Sequence, residues 1–144
     1  MNRKTFIQRA ALALILSTTS LAALAQPAAP SKSKVVFQVS DADAGKWNLA
    51  LNNAKNVQQE LGADKVEIEI VAYGPGIGML KADAPTNSRV LEATKSGIKV
   101  VACENTMTVQ KLTKADMNPV ISYVPAGVVE LMRLHSEGWA YIRP

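Results

Sequence analysis

Short apolar segments alternate with segments of helical periodicity between residues 35 and 144, and this alternation constrains the fold more than any other feature of the chain. In residues 47–61 the apolar side chains recur at steps of three and four, which is typical of an amphipathic helix. Strands are predicted at 35–40, 66–73, 98–102, 120–124 and 139–142. Helices are predicted at 47–61, 86–96, 105–114 and 126–136. Because strands that alternate with helices form parallel sheets through right-handed crossovers, the sequence predicts a three-layer α/β domain of flavodoxin-like size.

The second predicted strand carries two acidic residues. Glu67 and Glu69 alternate with Val66, Ile68 and Ile70. Since successive side chains of a strand point to opposite faces of the sheet, both acids fall on one face. We therefore expect that face to contact water along the first half of the strand.

The N-terminus has the three parts of a secretory signal. Arg3 and Lys4 are its positive region, an apolar segment follows from about residue 10, and Ala23-Leu24-Ala25 is a small-residue cleavage site. The apolar segment is too short and too interrupted for a spanning helix, which needs about 20 apolar residues. We predict a signal peptide at 1–25, cleavage after Ala25 and a periplasmic protein with no membrane segment after cleavage.

The basic character of the chain belongs largely to this signal. The formal net charge is +4, and Arg3, Lys4 and Arg9 lie before the predicted cleavage site with no acidic residue among them. The mature chain is therefore nearly neutral and has no basic cluster with interleaved aromatic residues, which argues against nucleic-acid binding. Residues 26–34 contain Pro, Ser and Lys without apolar periodicity and are predicted to be a flexible linker. The folded domain is then 35–144.

The only cysteine of the chain, Cys103, follows the third predicted strand and precedes a predicted helix. In open parallel sheets, functional residues lie outside the carboxyl ends of the strands. Four segments fall at that rim, namely 41–46, 74–83, 103–106 and 125–128. An unpaired cysteine in an exported protein is an inert core residue, an intermolecular disulfide or a reactive thiol. Position alone does not decide among the three.

A reactive thiol requires a lowered pKa, because the thiolate is the nucleophile. A helix beginning at Asn105 would direct amide groups, including that of Thr106, toward the Cys103 sulfur. The carboxylate of Glu104 would oppose this effect if it lay close. The only histidine, His135, lies on the last predicted helix, and its spacing from Cys103 neither supports nor excludes a Cys–His pair.

A glycine-rich segment follows the second strand at Gly74, Gly76 and Gly78. Its G-x-G-x-G spacing differs from that of phosphate-binding loops and lacks their Lys-Ser/Thr ending. A tight loop packed close to the cysteine is the simpler interpretation, although exposed amides there could hold a small anion. No metal site is expected, since one cysteine and one histidine cannot form a structural zinc site. Asp41 and Asp43 could form half of a cation site, but a capping or loop role is the simpler interpretation. No cofactor is predicted.

Four segments together resemble the DsrE/DsrF-like family, in its exported single-domain branch. They are GIKVVACENTM at 97–107, LNNAKN at 51–56, VAYGPG at 71–76, and PAGVVEL at 125–131 leading to GWAYI at 138–142. The resemblance implies a three-layer α/β/α fold with a five-stranded, mainly parallel sheet and assembly into oligomers, most simply a homo-oligomer. In members that relay sulfur, the matching cysteine accepts sulfane sulfur as a persulfide and passes it to a partner thiol. The resemblance therefore implies that Cys103 is a persulfide carrier.

Two functions follow as hypotheses. In the first, the protein binds or relays sulfur through Cys103 in the periplasm, with a thiol-bearing donor or acceptor protein, and Gly74, Gly76, Gly78, Asn105 and Thr106 shelter the extra sulfur atom. In the second, the protein is a non-catalytic oligomeric module for a small ligand or partner, and Cys103 is structural. Flavin or nucleotide binding has no phosphate loop to support it.

Overall fold

The computed structural model describes residues 31–144. The predicted signal peptide at 1–25 and most of the predicted linker lie outside the described residues. Five strands form one sheet in the order β4-β3-β2-β1-β5, and every neighbouring pair is parallel. The strands are β1 (Ser33–Val39), β2 (Val66–Ala72), β3 (Lys99–Cys103), β4 (Ser122–Val124) and β5 (Ala140–Ile142). The five-stranded parallel sheet is confirmed, and β1 begins two residues earlier than predicted.

Four α-helices connect the strands, and they are α1 (Ala44–Leu61), α2 (Asn87–Lys95), α3 (Glu104–Val109) and α4 (Gly127–Ser136). Two 3₁₀ helices are also present, at Gly74–Leu80 and Lys114–Asp116. Within residues 31–144, no helix is both long and apolar enough to cross a membrane.

The two faces of the sheet are covered unequally. The larger core lies on the face that contacts α1, α2, the Gly74–Leu80 helix and Met107 of α3. On the other face, Val36, Val71 and Val101 pack against Leu131 and Leu134 of α4, with Tyr73 and Trp139 at the margin. The fold is thus the predicted three-layer α/β arrangement, with α4 supplying the helical part of the thinner layer. Each large apolar side chain buried in these cores contributes roughly 1.5–3 kcal/mol.

Helix α1 is capped at its N-terminus by Asp43, one of the two aspartates for which a capping role was predicted. The Asp43 carboxylate accepts hydrogen bonds from the backbone N–H groups of Gly45 at 2.7 Å and Lys46 at 3.2 Å. This satisfies two of the free N–H groups at the helix start. Asp41 forms an ion pair with Lys46 at 3.2 Å, and its backbone carbonyl accepts a hydrogen bond from the Trp47 indole at 2.6 Å.

Three local expectations were wrong. Helix α3 ends at Val109 instead of near residue 114, because the backbone of Lys111 adopts a φ of 55° that an α-helix cannot contain. The glycine-rich segment, predicted to be a tight loop, is the start of a 3₁₀ helix. Glu69, expected to face water, is only 2% exposed, whereas Glu67 on the same face of β2 is exposed. Residues of α4 cover Glu69, and nothing in the strand's own pattern indicates that they do.

Gly76 holds the 3₁₀ helix against the end of β1. A Cβ atom at this position would lie 2.3 Å from the backbone oxygen of Val39 and 2.8 Å from the Cα of Ser40. Both neighbours are backbone atoms, so they cannot move aside as a flexible side chain would. Glycine is therefore required here by close approach.

We expect Gly76→Ala to lower the free energy of unfolding by about 3 kcal/mol, because the added methyl group overlaps the β1 backbone. Chemical denaturation measures the change. The matched control is Gly74→Ala, whose Cβ would meet no atom within 4 Å but whose φ is 54°. In Gly74→Ala only the left-handed backbone conformation is unfavourable for alanine, so the free energy of unfolding should fall by only about 1 kcal/mol. A Gly76→Ala variant as stable as the control would contradict this account.

Candidate functional site

Cys103 is the last residue of β3 and the residue that immediately precedes α3. Its neighbour in the sheet is Val124, the last residue of β4. Helix α4 begins three residues after Val124, at Gly127, so two helices start beside the same sulfur atom. The thiol is free and 5% exposed. The structure thus places Cys103 at the carboxyl rim of the parallel sheet, where the sequence predicted it.

The pKa of the Cys103 thiol reflects two opposing effects. Burial raises the pKa, since it penalises the charged thiolate. The Thr106 hydroxyl and the backbone N–H groups of Gly127, Thr106 and Asn105 lower it by hydrogen bonding to the sulfur. These donors prevail, and the pKa lies below the usual value of a thiol. Of the four, the Asn105 N–H is shared, because it also donates to the carbonyl of Pro125 at 3.1 Å.

Thr106 connects the sulfur to the glycine-rich segment. Its hydroxyl oxygen accepts a hydrogen bond from the backbone N–H of Gly74 at 2.9 Å. The Gln110 side-chain amide donates to the carbonyl of Gly74 at 3.0 Å. Both backbone groups of Gly74 are therefore held, one by Thr106 of α3 and the other by Gln110, the residue that follows α3. Because the Thr106 oxygen accepts from Gly74, its own proton is free to be donated to the sulfur.

The carbonyl of Pro125 completes the environment of the thiol. It lies 4.0 Å from the Cys103 sulfur and can accept a weak hydrogen bond from the thiol proton. A carbonyl dipole at this position favours the neutral thiol and disfavours the thiolate. The sulfur thus has an acceptor for its proton on one side and donors for its negative charge on the others. Either protonation state can be accommodated without a large rearrangement.

The structure brings together some of the predicted site residues. Asn105 and Thr106 face the sulfur, and Gly74 is joined to it through Thr106. Gly76 packs on the end of β1, and Gly78 packs on the Trp47 ring, with a Cβ position 3.0 Å from that ring. Their backbones serve close packing in the way the simpler interpretation proposed. Sheltering of a bound sulfur atom by these two glycines stays a prediction.

Gly127 is the site residue that the sequence did not single out. Its segment, 125–128, was placed at the rim, but no feature of the sequence indicated that its N–H would point to Cys103. A Cβ atom on Gly127 would lie 3.1 Å from the Tyr73 side chain, so the first turn of α4 sits tightly on the end of β2. A glycine three residues after a short apolar strand was the available signal.

His135 lies far from the thiol. Gly127 is close to the sulfur at the start of α4, and His135 comes eight residues later on the same helix. At 1.5 Å per residue this separation is about 12 Å along the helix axis. The structure therefore does not bring His135 to Cys103 as a general base. Among residues 31–144 no group of three or more His, Cys, Asp or Glu side chains could hold a metal ion.

Two surface cavities lie away from the thiol. One, of about 250 Å³, lies between α1 and α2 and includes Lys55 and Arg89. The other, of about 430 Å³, lies on the α4 face near the start of the strands and includes Glu69 and Lys99. Cys103, Asn105, Thr106 and Gly127 line neither of them. Neither of these two cavities therefore opens onto the Cys103 sulfur.

We expect Thr106→Val to raise the pKa of the Cys103 thiol, because it removes a hydroxyl donor and keeps the branched shape of the side chain. The pH dependence of Cys103 alkylation by iodoacetamide measures this pKa. Thr106→Ser should restore the lower value. Thr108→Val is the matched control, since the Thr108 hydroxyl donates to the carbonyl of Glu104 in the same helix. Equal profiles for Thr106→Val and Thr108→Val would contradict the assignment.

Comparisons with known proteins agree with the fold. The sequence profile of the DsrE/DsrF-like family matches residues 33–144. Among solved structures, the chain is similar to the MTH1491 protein of Methanobacterium thermoautotrophicum, a protein of unknown function. The two share 34% sequence identity with a TM-score of 0.75, and the match covers 78% of this chain and 100% of that one.

Two further solved structures share the fold at lower identity. The BT1422 protein of Bacteroides thetaiotaomicron, also of unknown function, is 17% identical with a TM-score of 0.65, covering 78% of this chain and 95% of that one. The ychN protein of E. coli is 10% identical with a TM-score of 0.62, covering 79% and 99%. No curated protein sequence is significantly similar. Because the family profile spans all five strands and the MTH1491 protein is similar over its whole length, the chain belongs to the DsrE/DsrF-like family.

Proposed function

We propose that this protein binds and relays sulfur as a persulfide on Cys103. The observation that carries the proposal is the position of the Cys103 sulfur between the starts of α3 and α4, where the Thr106 hydroxyl and backbone N–H groups lower the pKa of the thiol. A thiolate available near neutral pH is what attack on sulfane sulfur requires. Membership in the DsrE/DsrF-like family is consistent with this chemistry.

The reaction needs no cofactor. The Cys103 thiolate attacks the outer sulfur of a donor persulfide, a new S–S bond forms, and the donor leaves as its thiolate. The outer sulfur, now attached to Cys103, carries the proton or the negative charge. In the second half, an acceptor thiolate attacks this outer sulfur and the Cys103 thiolate leaves. Each half is an exchange at sulfur with no net oxidation, and the lowered pKa of Cys103 makes its thiolate a better leaving group than an ordinary thiolate.

The same donors would hold the persulfide. An added sulfur atom extends beyond the Cys103 sulfur toward solvent, and a persulfide is negatively charged over a wide pH range. The Thr106 hydroxyl and the Gly127 N–H, which lower the pKa of the thiol, would then act on the persulfide. Asn105 lies beside them, and Gly74, Gly76 and Gly78 continue the adjacent wall in the proposal. The limited exposure of Cys103 would protect the bound sulfur from bulky reductants while leaving it open to a docked partner.

In this function the protein would relay sulfur in the periplasm. The signal-like segment at 1–25 supports this assignment. The sulfur donor or acceptor would be a thiol-bearing protein. This partner protein would bind next to Cys103, against the first turn of α4.

We expect the purified mature protein to gain the mass of one sulfur atom after treatment with polysulfide, and to lose it on addition of a reducing thiol. Intact-mass spectrometry detects both steps. The matched control is Cys103→Ser, which keeps the size of the side chain and removes the nucleophile. An equal adduct on Cys103→Ser, or none on the wild type at alkaline pH, would overturn the proposal.

A second candidate is a non-catalytic oligomeric module with a structural cysteine. The 5% exposure of Cys103 favours it, and so does an apolar surface on α4. Val128, Val129 and Met132 are 51%, 61% and 67% exposed, although solvent-facing helix positions are ordinarily polar. A homo-oligomer formed through this surface would lie next to the first turn of α4 and would be compatible with either function.

We expect the wild type to have a native mass that is a multiple of the monomer mass, and Met132→Lys to weaken this association about tenfold or more, because a charge would enter an apolar contact. Light scattering after size exclusion measures the native mass. Leu49→Lys, at an exposed apolar position on α1, is the matched control. A monomeric wild type at micromolar concentration would refute the interface.

A further inference from the structure

An aromatic residue that the site has not yet included, Tyr73, lies beside Cys103 in the sheet. In the parallel pairing of β2 with β3, Ala72 lies opposite Ala102. The next residues along the two strands are Tyr73 and Cys103. The backbone of Tyr73 is still extended, with φ −150° and ψ 172°, and its N–H donates to the carbonyl of Val39 at 3.1 Å. Tyr73 therefore continues β2 by one residue, next to the cysteine.

The side chains of Tyr73 and Cys103 lie on the same face of the sheet. Val71 and Val101, two residues earlier on the two strands, belong to the small core beneath α4, and Tyr73 packs at the margin of that core. Because alternate residues of a strand point to one face, Cys103 is directed to that face as well. The Pro125 carbonyl, which lies 4.0 Å from the sulfur, is in the segment that leads into α4. Since neighbouring strands lie about 4.8 Å apart, the tyrosine and the thiol are adjacent side chains.

Two contacts fix the position of the Tyr73 ring. A Cβ atom on Gly127 would lie 3.1 Å from the Cβ atom of Tyr73 and 3.2 Å from its Cδ1 atom, so the first residue of α4 packs directly on the tyrosine. The next residue along the chain is Gly74, whose N–H donates to the Thr106 hydroxyl at 2.9 Å. The side chain of Tyr73 is thus held by α4, and the backbone that follows it is held by α3.

The sulfur lies between two apolar side chains. On the β2 side is Tyr73, which is half-buried, and on the β4 side is Val124, which is 9% exposed and pairs with Cys103 in the sheet. The thiol itself is 5% exposed. Tyrosine is much longer than cysteine, so the ring extends past the sulfur on this face. As the larger and more exposed of the two neighbours, Tyr73 determines how wide an object can approach the thiol.

The geometry of exchange at sulfur makes such a wall selective. The attacking, attacked and leaving sulfur atoms lie in one line during the exchange, so a donor must approach Cys103 end-on. Groups close behind the leaving sulfur then come alongside the Tyr73 ring. An unbranched chain passes beside the ring, whereas a chain with substituents next to its sulfur collides with it. Sulfur also makes favourable contacts with the edges of aromatic rings, so the ring would stabilise a sulfur chain that passes.

We propose that Tyr73 is a specificity-determining residue of the Cys103 site, and that its ring admits unbranched sulfane-sulfur donors and excludes donors with branches next to the sulfur. The donor is then a polysulfide chain, or a persulfide at the end of an extended cysteine side chain. The inference rests on the proposed function for the identity of the donor. The restriction of access is independent of that function, because every reagent that reaches Cys103 meets the same ring.

The first test compares two alkylating reagents with the same reactive group and different widths, iodoacetamide and fluorescein-linked iodoacetamide, on the purified mature protein. The rate ratio of the small to the bulky reagent, divided by the same ratio for urea-unfolded protein, measures the restriction. A change in the pKa of the thiol affects both reagents equally and cancels in this ratio. We expect Tyr73→Ala to lower the ratio about tenfold, because access to the sulfur limits the rate. Tyr73→Phe should keep the wild-type ratio, since it removes only the hydroxyl group. An unchanged ratio in Tyr73→Ala would overturn the proposal.

Trp139→Ala is the matched control. Trp139 is the other aromatic residue at the margin of the same small core, but it precedes β5 and therefore lies at the opposite end of the parallel sheet. Its loss weakens the packing of α4 without removing the wall beside Cys103, so the ratio should stay at the wild-type value. An equal fall in Trp139→Ala would refute the assignment to Tyr73. If Tyr73→Ala does not fold, Tyr73→Val keeps a branched side chain suited to a strand end and should also lower the ratio. A wild-type ratio in Tyr73→Val would count against the proposal in the same way.

A second measurement tests the class of donor. Cysteine persulfide and penicillamine persulfide have the same reacting sulfur atoms, and the second carries two added methyl groups on the carbon next to sulfur. We expect the wild type to gain one sulfur atom at least about tenfold faster from cysteine persulfide, and Tyr73→Ala to reduce this preference to about threefold or less, as followed by intact mass. Equal rates from both donors in the wild type would overturn the donor class. If neither donor transfers sulfur to either protein, the sulfur relay fails, and the alkylation ratio by itself still decides the role of Tyr73.

Discussion

The packing of α4 on the second face of the sheet is the contact on which the rest of the structure depends. Leu131 and Leu134 are the helical members of the small core on that face, and the opposite face has several elements to cover it. The same helix provides the Gly127 N–H at the sulfur and the Glu130 carboxylate over Glu69. One ten-residue helix therefore combines core, site and buried charge, so a small displacement of α4 would affect all three.

The cysteine illustrates how a thiol can be nearly buried and still be prepared for chemistry. Burial alone would make Cys103 an inert core residue with a raised pKa. The parallel sheet changes this outcome, because the carboxyl end of β3 lies where the backbone donors of the next segments converge. The Thr106 hydroxyl and the N–H groups compensate the charge that burial penalises. Protection and reactivity come from the same surroundings, since the groups that limit access to the sulfur are also its hydrogen-bond donors.

Glu69 shows the reverse arrangement. Its carboxyl is covered without a full set of partners, and one oxygen is left without a hydrogen bond. Such a group weakens a fold when ionised, and a buried apolar residue of similar size would serve packing better. The exposed Glu67, two residues earlier on the same face, shows that the strand itself imposes no such burial.

Periodicity and turn residues determined much of this protein. The five parallel strands, the cap at Asp43 and the position of Cys103 at the end of β3 follow from local patterns, because side-chain alternation and capping depend on near neighbours in the chain. The resemblance to the family, too, could be recognised from short segments spread over residues 51–142. Only the tertiary structure decided that Gly127 donates to the sulfur, that Gly76 touches β1 and that Glu69 is buried. Each of these contacts joins residues from elements that are distant in the chain. No local sequence pattern specifies where α4 packs on the sheet.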